Sequence, residues 1–252
     1  MKAILTYHSV DSSGSVISVP PAVFDRDVRW IASSSVAVMT LPQLLRLPDD
    51  RDAVAITFDD AYTNFQVEAW PRLRDHGLPV TLFVPTGFVG KTNRWAETPG
   101  GRMPPLPILD WPALATLQED GVTLGAHTRT HADLRTLDGA VLEDEVWGSV
   151  EDLLRQTGQR PETFAYPYGY WTPSAASVVR AACQCACTTE LRPLGGRDDA
   201  HLLPRLDAFY LKGPARLENF GRFSFREYIR VRSRLRAFAH EVRAKRLPLG
   251  PV

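Results

Sequence analysis

The stretch "AVAITFDDAY", residues 53–62, places two adjacent carboxylates directly after an apolar run. The run at 53–58 has the length and the β-branched content of a buried strand. Asp59 and Asp60 therefore stand where that strand ends. In parallel β/α folds, groups at the carboxyl ends of the strands converge on one face, where the loops build the site. The stretch predicts such a fold, with a charged site at that face.

Apolar runs like this one alternate with longer helix-like segments, the pattern expected of β-α units around a parallel sheet or barrel. The predicted strands lie at 3–7, 53–58, 79–85, 122–126 and 163–166. Predicted helices end at Gly77, Gly121 and Gly158, because glycine is common just past a helix end. The last of these helices is amphipathic through Val141, Leu142, Val146, Val150, Leu153 and Leu154. The Pro- and Gly-rich stretch 98–107 predicts a surface loop near the mouth of a site.

The composition fits a globular protein and gives no reason to expect a nucleic-acid binder. The chain has 252 residues, is 44% hydrophobic and has a net charge of zero. A chain of this length can bury a substantial core. The charge is uneven, however, because eleven Lys and Arg stand against three Glu from Lys212 to the end. We therefore predict a neutral-to-acidic body with a basic tail.

The basic tail contains a predicted amphipathic helix. Ser224 and Glu227 have the spacing of a capping box at its start. Apolar residues then follow at spacings of three and four: Tyr228, Val231, Leu235, Phe238 and Val242. Two interpretations are open. The helix packs on its own domain, or residues 224–246 dock onto an anionic membrane or a partner.

The expected location is the cytoplasm, with peripheral contact at the inner membrane face through the basic helix. The N-terminal sequence "MKAILTYHSV" lacks the length and the cleavage-site character of a signal peptide. No stretch approaches the roughly 20 apolar residues that span a bilayer.

The three cysteines, Cys183, Cys185 and Cys187, are too closely spaced for a disulfide framework. Because no fourth metal ligand lies nearby in the sequence, we expect reduced thiols that pack as small apolar residues.

Two histidines complete a metal-binding pattern with the Asp pair. His127 follows the predicted strand at 122–126, and His131 follows in "HTRTH", a spacing at which two imidazoles reach one ion from a single turn. One Asp with two His is a good ligand set for Zn²⁺ with an open position for water. Two neighbouring carboxylates in one role would repel, so we expect one to bind the metal and the other to act as a base.

Other chemistries use similar residues. An Asp pair at a strand end is often a turn or a helix cap, and an isolated H-x-x-x-H occurs by chance in many chains. A glycosidase needs its two carboxylates about 5 to 9.5 Å apart across a bond, so immediate neighbours are poorly placed. A zincin-type protease needs Glu within the His motif, where this chain has Thr128, Arg129 and Thr130.

The ordered motifs resemble those of a known family. They are "YHSV" (7–10), "TFDDAY" (57–62), "HTRTH" (127–131), "FAYPYG" (164–169) and "LPRLD" (203–207). Together they resemble the polysaccharide deacetylases of the NodB-homology type, carbohydrate esterase family 4, and most of all the branch that includes poly-N-acetylglucosamine deacetylases. The resemblance implies a distorted (β/α) barrel of about seven strands over residues 1–210. Residues 211–252 would form a C-terminal basic helical extension.

The resemblance also implies roles for individual residues. Asp60, His127 and His131 would bind a divalent metal, for which Zn²⁺ is most suitable and Co²⁺, Ni²⁺ and Fe²⁺ are alternatives. Asp59 would be the general base, and the backbone N–H of Tyr168 would donate to the oxyanion. The implied activity is that of a metal-dependent hydrolase. It removes acetyl groups from N-acetylated sugars of a polysaccharide or of its lipid- or nucleotide-linked intermediate.

The sequence departs from the family pattern at three places. Ala61 replaces the usual Gly after the Asp pair. A backbone with positive φ would cost Ala about 1 kcal/mol or more, whereas a helix-start conformation would accept it. The third motif lacks the Arg that often orients the catalytic Asp, so we predict Arg205 as its replacement, with a structural salt bridge as the alternative. The late His that often serves as general acid is absent. We predict His8 in that role, with a structural His8 or a catalytic His201 as alternatives.

Two other functions are open at this point. The same fold and metal would also serve the hydrolysis of another amide, such as a cyclic imide or a small metabolite. A carbohydrate-binding protein that has lost turnover is the non-enzymatic alternative, motivated by Ala61 and the absent late His.

Overall fold

The computed structural model describes residues 1–48, 50–96, 105–213 and 216–246, with the backbone alone for 239–246. The strands are β1 (Lys2–Tyr7), β2 (Ser9–Val10), β3 (Ser18–Val19), β4 (Ala37–Val38), β5 (Ala53–Phe58), β6 (Val80–Val84), β7 (Thr123–Ala126), β8 (Thr163–Ala165), β9 (Cys185–Cys187) and β10 (Leu206–Asp207). The helices are α1 (Pro21–Ser33), α2 (Leu41–Arg46), α3 (Trp70–Asp75), α4 (Trp111–Glu119), α5 (Gly139–Thr157), α6 (Pro173–Ala182) and α7 (Phe223–Arg246).

One parallel sheet forms the body of the described structure. Its strand order is β10-β1-β5-β6-β7-β8-β9, with β4 beside the start of β5, while β2 and β3 form a separate pair. Each neighbouring pair in the large sheet is parallel, so the carboxyl ends of all its strands lie at one end. The predicted fold, a distorted (β/α) barrel with an extra C-terminal helix, is confirmed.

A short segment joins the two edges of this sheet. Leu203 pairs with Cys187 of β9, and Leu206 pairs with Leu5 of β1. Residues 203–206 are therefore bonded to both edge regions and close the barrel. Arg205 lies within this segment and is 2% exposed, so closure of the barrel carries its guanidinium inside.

A cluster of buried apolar side chains, both small and large, fills the barrel interior. The interior cluster includes Ile4, Ala53, Ala55, Phe83, Ala165, Cys185, Cys187 and Leu203. Leu41 and Leu44 of α2 pack into the same cluster beside β5. The alternate residues of β1 and β5, such as Leu5 and Ile56, belong to the larger cluster outside the sheet, as the two-residue period of a strand requires.

The three cysteines are free and buried, which confirms that expectation. Cys185 and Cys187 line the barrel interior. Burial raises the pKa of Cys183 and of Cys187 to about 12, so both are neutral thiols near pH 7.

The five predicted strands occur within one residue of their predicted bounds. The helix that ends at Gly158 is also present, but the prediction that Val141 and Leu154 lie on its buried face is wrong. Val141 is 58% exposed and Leu154 is 39% exposed, because the buried face of α5 is narrower than the sequence pattern.

A π-helical turn, Phe65–Ala69, precedes α3. Most of the predicted loop at 98–107 lies outside the described residues, and Pro107 pairs with Thr92.

Helix α7 packs on the domain only at its start. It begins at Phe223, so Ser224 lies in its first turn and not at the predicted cap. Phe225 and Ile229 are the buried residues among the described side chains of α7. The predicted apolar residues Val231, Leu235 and Phe238 are 53%, 57% and 67% exposed. The interpretation that the whole helix packs on its own domain is therefore wrong for these residues. The side chain of Val242 lies outside the described ones.

No helix in the described part of the chain is long and apolar enough to cross a membrane.

Candidate active site

Asp59 and Asp60 leave β5 at its carboxyl end and are both buried, at 3% and 4% exposure. A continuing strand would send successive side chains to opposite faces. Here Asp60 and Ala61 have φ of 72° and 52°, so a left-handed turn lets both carboxylates face the barrel mouth. Of the two backbone conformations considered for Ala61, the structure has the one with positive φ and not the helix start. Its left-handed backbone favours glycine and costs a residue with a Cβ roughly 1–2 kcal/mol.

The side chains of Asp60, His127 and His131 converge at this mouth. The Nε2 atoms of His127 and His131 lie 3.5 Å and 3.4 Å from Oδ1 of Asp60. Two ligands bound tetrahedrally to Zn²⁺ are about 3.4 Å apart, given bond lengths of about 2.0–2.1 Å. The three buried side chains therefore have the spacing of a metal site. Among the described residues, this is the set of His, Cys, Asp and Glu side chains that could hold a metal ion.

The hydrogen bonds and charges of this triad also fit a divalent metal. Oδ1 of Asp60 is buried without a hydrogen-bond partner. Nδ1 of His127 lies 2.7 Å from the carbonyl of Ala165, which can only accept, so Nδ1 donates, and in the neutral imidazole Nε2 is the atom that can bind a metal. Burial lowers the pKa of His131 to about 3, which keeps its imidazole in the neutral form that binds metal.

The two carboxylates give the site a negative potential. Burial alone would raise the pKa of Asp60, but the neighbouring His127, His131 and His8 outweigh it and hold the pKa well below its usual range. Burial alone would lower the pKa of His127, but Asp60 and Asp59 outweigh it and raise that pKa. The same negative charges attract a cation.

The segment that carries both histidines, residues 127–131, is a loop. His127 directly follows β7, and the chain then passes through Thr128 and His131 with φ of 63° and 56°. These left-handed residues bring the two imidazole rings to 4.9 Å between centroids in a T-shaped contact. The histidines therefore meet through loop geometry.

Asp59 is held by Arg205. Nη1 of Arg205 donates to Oδ1 of Asp59 and Nη2 donates to Oδ2, both at 2.7 Å, while Nε donates to the carbonyl of Thr188. Burial raises the pKa of Asp59, but the Arg205 guanidinium and then His8 outweigh it, so the pKa lies below its usual range. Asp59 is thus ionised and fixed in orientation without contributing to the triad.

The two other predicted histidines lie in different places. Nε2 of His8 is 3.7 Å from Oδ2 of Asp59, and the His8 side chain is 22% exposed, so it reaches solvent beside the site. His201 bonds through Nε2 to the carbonyl of Cys183 and through Nδ1 to Arg180. Cys183 precedes β9, at the end of the barrel opposite the site. The structure therefore brings His8, and not His201, to Asp59.

Two aromatic rings flank His131. The ring of Tyr168 makes an edge contact with His131 at 4.7 Å, and its backbone has a left-handed φ of 59°. The indole of Trp95 stacks on His131 at 4.5 Å between centroids. Trp95 was not predicted, because it lies in a single 3₁₀ turn, Arg94–Ala96, where the sequence has no periodic pattern.

The chain belongs to the polysaccharide deacetylase family. The family model described as polysaccharide deacetylase matches residues 46–184, which is more than half of the chain. The match includes Asp59, Asp60, His127, His131 and Tyr168, whereas His8 and Arg205 lie outside it.

Relatives and solved structures agree with this family. YxkH of Bacillus subtilis, named for the same family, is 25% identical over 193 residues, 74% of this chain and 64% of YxkH. The chain thus spans less than two thirds of that relative. The poly-beta-1,6-N-acetyl-D-glucosamine N-deacetylase of Staphylococcus aureus (strain MSSA476) is 24% identical over 214 residues, 76% of this chain and 69% of that protein.

Two solved structures are similar in fold. The deacetylase PplD of Streptococcus pyogenes, in complex with acetate, has a TM-score of 0.69 at 21% identity, covering 81% of this chain and 91% of PplD. IcaB from Ammonifex degensii has a TM-score of 0.67 at 21% identity, covering 82% of this chain and 93% of IcaB.

Proposed function

We propose that this protein is a metal-dependent N-deacetylase that releases acetate from N-acetylated sugars. The observation that carries the proposal is the different environment of two adjacent carboxylates. Asp60 faces the imidazoles of His127 and His131. Asp59 is hydrogen-bonded to the Arg205 guanidinium instead, so it is not needed as a metal ligand and can accept a proton. Membership of the polysaccharide deacetylase family supports the same reaction class.

A divalent cation held by Asp60, His127 and His131 would polarise the amide carbonyl and acidify water. Zn²⁺ suits this ligand set, and Co²⁺, Ni²⁺ and Fe²⁺ are alternatives. We assign the remaining steps to side chains and backbone around the triad.

Asp59 takes the proton of the attacking water, and Arg205 keeps Asp59 ionised and oriented for this step. The backbone N–H of Tyr168 donates to the oxygen that becomes negative as the amide carbonyl is attacked. His8 then gives a proton to the leaving amine. Because Nε2 of His8 lies 3.7 Å from Asp59, a small movement lets the proton that Asp59 accepted pass to His8.

The proposed substrate is a glycan of N-acetylglucosamine or its biosynthetic intermediate. The S. aureus relative is named for β-1,6-linked poly-N-acetylglucosamine, which makes this linkage the first to test. Tyr168 and Trp171 are 42% and 40% exposed near the site, and exposed aromatic rings suit stacking on sugar rings.

The test is acetate release from N-acetylglucosamine oligomers, β-1,6 and β-1,4 linked, by metal-stripped protein with and without added Zn²⁺. We expect release only with the metal, and faster release from the β-1,6 oligomers. Protein that binds one zinc ion but releases no acetate from either oligomer would contradict the proposal. A cyclic imide or a small amide would then be tested as the substrate, and glycan binding without turnover would be measured by calorimetry.

The exposed side of α7 is proposed to dock on an anionic lipid surface. Val231, Leu235 and Phe238 lie on one stripe of the helix and are mostly exposed. Arg232 and Arg234 flank this stripe, about 80° away on either side at 100° per residue. Arginine beside an apolar stripe suits a membrane interface, where each basic residue contributes about 1 kcal/mol toward anionic lipids.

The charge of α7 favours lipid over a second copy of the chain. Its described side chains include five arginines: Arg226, Arg230, Arg232, Arg234 and Arg236. The acidic residue among the described side chains of α7 is Glu227, which forms an ion pair with Arg230. Two copies of such a helix would bring like charges together, whereas an anionic membrane would neutralise them. Docking at a membrane would favour a lipid-linked sugar as the substrate.

Co-sedimentation tests the docking proposal with vesicles of phosphatidylcholine, with or without phosphatidylglycerol. The full chain should bind only the anionic vesicles, and Leu235→Asp should bind them at least tenfold more weakly, because a carboxylate would enter the apolar stripe. Val67→Asp is the matched control, since Val67 is 65% exposed elsewhere on the surface. Equal binding to both vesicle types, no effect of Leu235→Asp, or self-association that involves Leu235 would contradict the proposal.

A further inference from the structure

Contacts outside residues 127–131 hold this segment, which carries both histidines of the triad. Thr128 and His131 have left-handed backbones, which residues with a Cβ keep only where their surroundings impose them. The chain after β6 bonds one part of the segment. The N–H of Thr86 donates to the carbonyl of Thr128 at 3.1 Å, and the N–H of Gly87 donates to the carbonyl of Arg129 at 2.8 Å.

Helix α5 bonds another part of the segment, chiefly through Glu145. Oε2 of Glu145 accepts from the backbone N–H groups of Arg129 at 3.0 Å and Thr130 at 2.8 Å. Oε1 accepts from the hydroxyl of Thr130 at 2.5 Å. Glu145 is 7% exposed, so these three bonds satisfy a buried charge and are of the strong, charge-assisted kind.

The side chain of Arg129 fastens the segment to the same helix. Its Nε and Nη2 donate to the two carboxylate oxygens of Asp152 at 2.9 Å and 3.0 Å, and Nη1 donates to Asp144. Gly148 makes room for this guanidinium, because a Cβ there would lie 2.4 Å from Cζ of Arg129. A glycine inside a helix costs about 1 kcal/mol relative to alanine, so close approach of Arg129 explains its presence in α5.

The geometry points to Glu145 as a positioning residue for the metal site. By holding the N–H groups of Arg129 and Thr130, Glu145 fixes the backbone directly before His131. It thereby sets the 3.4 Å distance between Nε2 of His131 and Oδ1 of Asp60. Glu145 touches neither the triad nor the reacting atoms. This inference rests on the proposed function only in taking the triad to bind a divalent metal.

Zinc affinity, measured by competition with a chromophoric chelator, tests this inference. Glu145→Ala leaves two N–H groups without their acceptor, and we expect zinc to bind 10–100-fold more weakly, as when a partner of a ligand is lost. Glu145→Gln should restore affinity to within a few-fold. Its amide oxygen accepts from the N–H groups, and its amide nitrogen donates to the hydroxyl of Thr130.

Two further variants make the test selective. Glu143→Ala removes a neighbouring acid of α5 that is exposed, and it should bind zinc like the wild type. Thr130→Val removes the hydroxyl bond alone and should weaken zinc binding several-fold, which keeps the test decisive if Glu145→Ala does not fold. Wild-type zinc affinity in Glu145→Ala and Thr130→Val would overturn this inference and leave the proposed function intact. Absence of zinc binding by the wild type would overturn both.

Discussion

Replacing Arg205 by Met is expected to lower kcat/KM for acetate release about a thousandfold, within the range that general-base catalysis contributes. Asp59 is buried, and both of its carboxylate oxygens accept from Arg205. Burial raises the pKa of Asp59, and among the groups that lower this pKa, Arg205 makes the largest contribution. Without the guanidinium, burial is offset less, so we expect the pKa of Asp59 to rise and less of the carboxyl to be ionised and able to accept a proton.

The pH profile distinguishes this effect from a general loss of structure. In the wild type the pKa of Asp59 lies below its usual range, so the base is ionised throughout the neutral range. In Arg205→Met that pKa rises, so the residual kcat/KM should increase with pH through neutrality. Arg205→Lys keeps a positive charge without the two-point contact and should fall between Arg205→Met and the wild type.

Two controls complete the Arg205 experiment. Arg192→Met makes the same substitution at a guanidinium paired with Glu190 and Asp198, away from Asp59, and should leave kcat/KM unchanged. The double variant Asp59→Asn with Arg205→Met should be no slower than Asp59→Asn alone, because the two residues act as a unit. Wild-type activity in Arg205→Met, or losses that add in the double variant, would contradict this role.

The positions of the triad were predictable because they depend on strand ends. The run 53–58 and the run 122–126 each show where a parallel strand ends, so Asp60 and His127 had to meet at one face. The turn that brings Asp59 and Asp60 to the same side was not predictable. Strand periodicity has no information about φ beyond the last strand residue, and Ala61 gives no signal of its left-handed backbone.

The parts of the fold that the sequence did not predict are short or depend on distant partners. β9 and β10 have three and two residues, too few for a periodic pattern. Arg205 reaches Asp59 only because the segment 203–206 closes the barrel. Helix α1 is an exception, because it was not predicted although it is long. Its buried residues Phe24, Val28 and Ile31 follow a helical period in the sequence.

Residues that contact the loop at 127–131 show the limit of sequence reasoning most clearly. Glu145 lies among Glu143, Asp144 and Glu151, and in the sequence all four are typical of a solvated helix face. Glu145 is buried, at 7% exposure, because α5 packs against the loop at this residue. Gly148 was the available signal, because a glycine inside an amphipathic helix often marks the close approach of another group.

Replacing His8 by Ala is expected to lower kcat for acetate release about a hundredfold or more, the contribution of a general acid. The leaving amine needs a proton, and His8 is the histidine that lies beside Asp59 without belonging to the triad. An aryl ester such as 4-nitrophenyl acetate has a leaving group that departs without a proton. His8→Ala should therefore lose far more activity on the N-acetylated sugar than on the ester, which a structural histidine would not do.

His201→Ala is the matched control for this experiment. His201 is 8% exposed and bonds to Cys183 and Arg180, so its loss should lower the melting temperature and leave kcat unchanged on both substrates. If His8→Ala stays within a few-fold of the wild type on the sugar, the proton reaches the amine from another donor. Asp59, which has just accepted one from water, is then the group in position to deliver it.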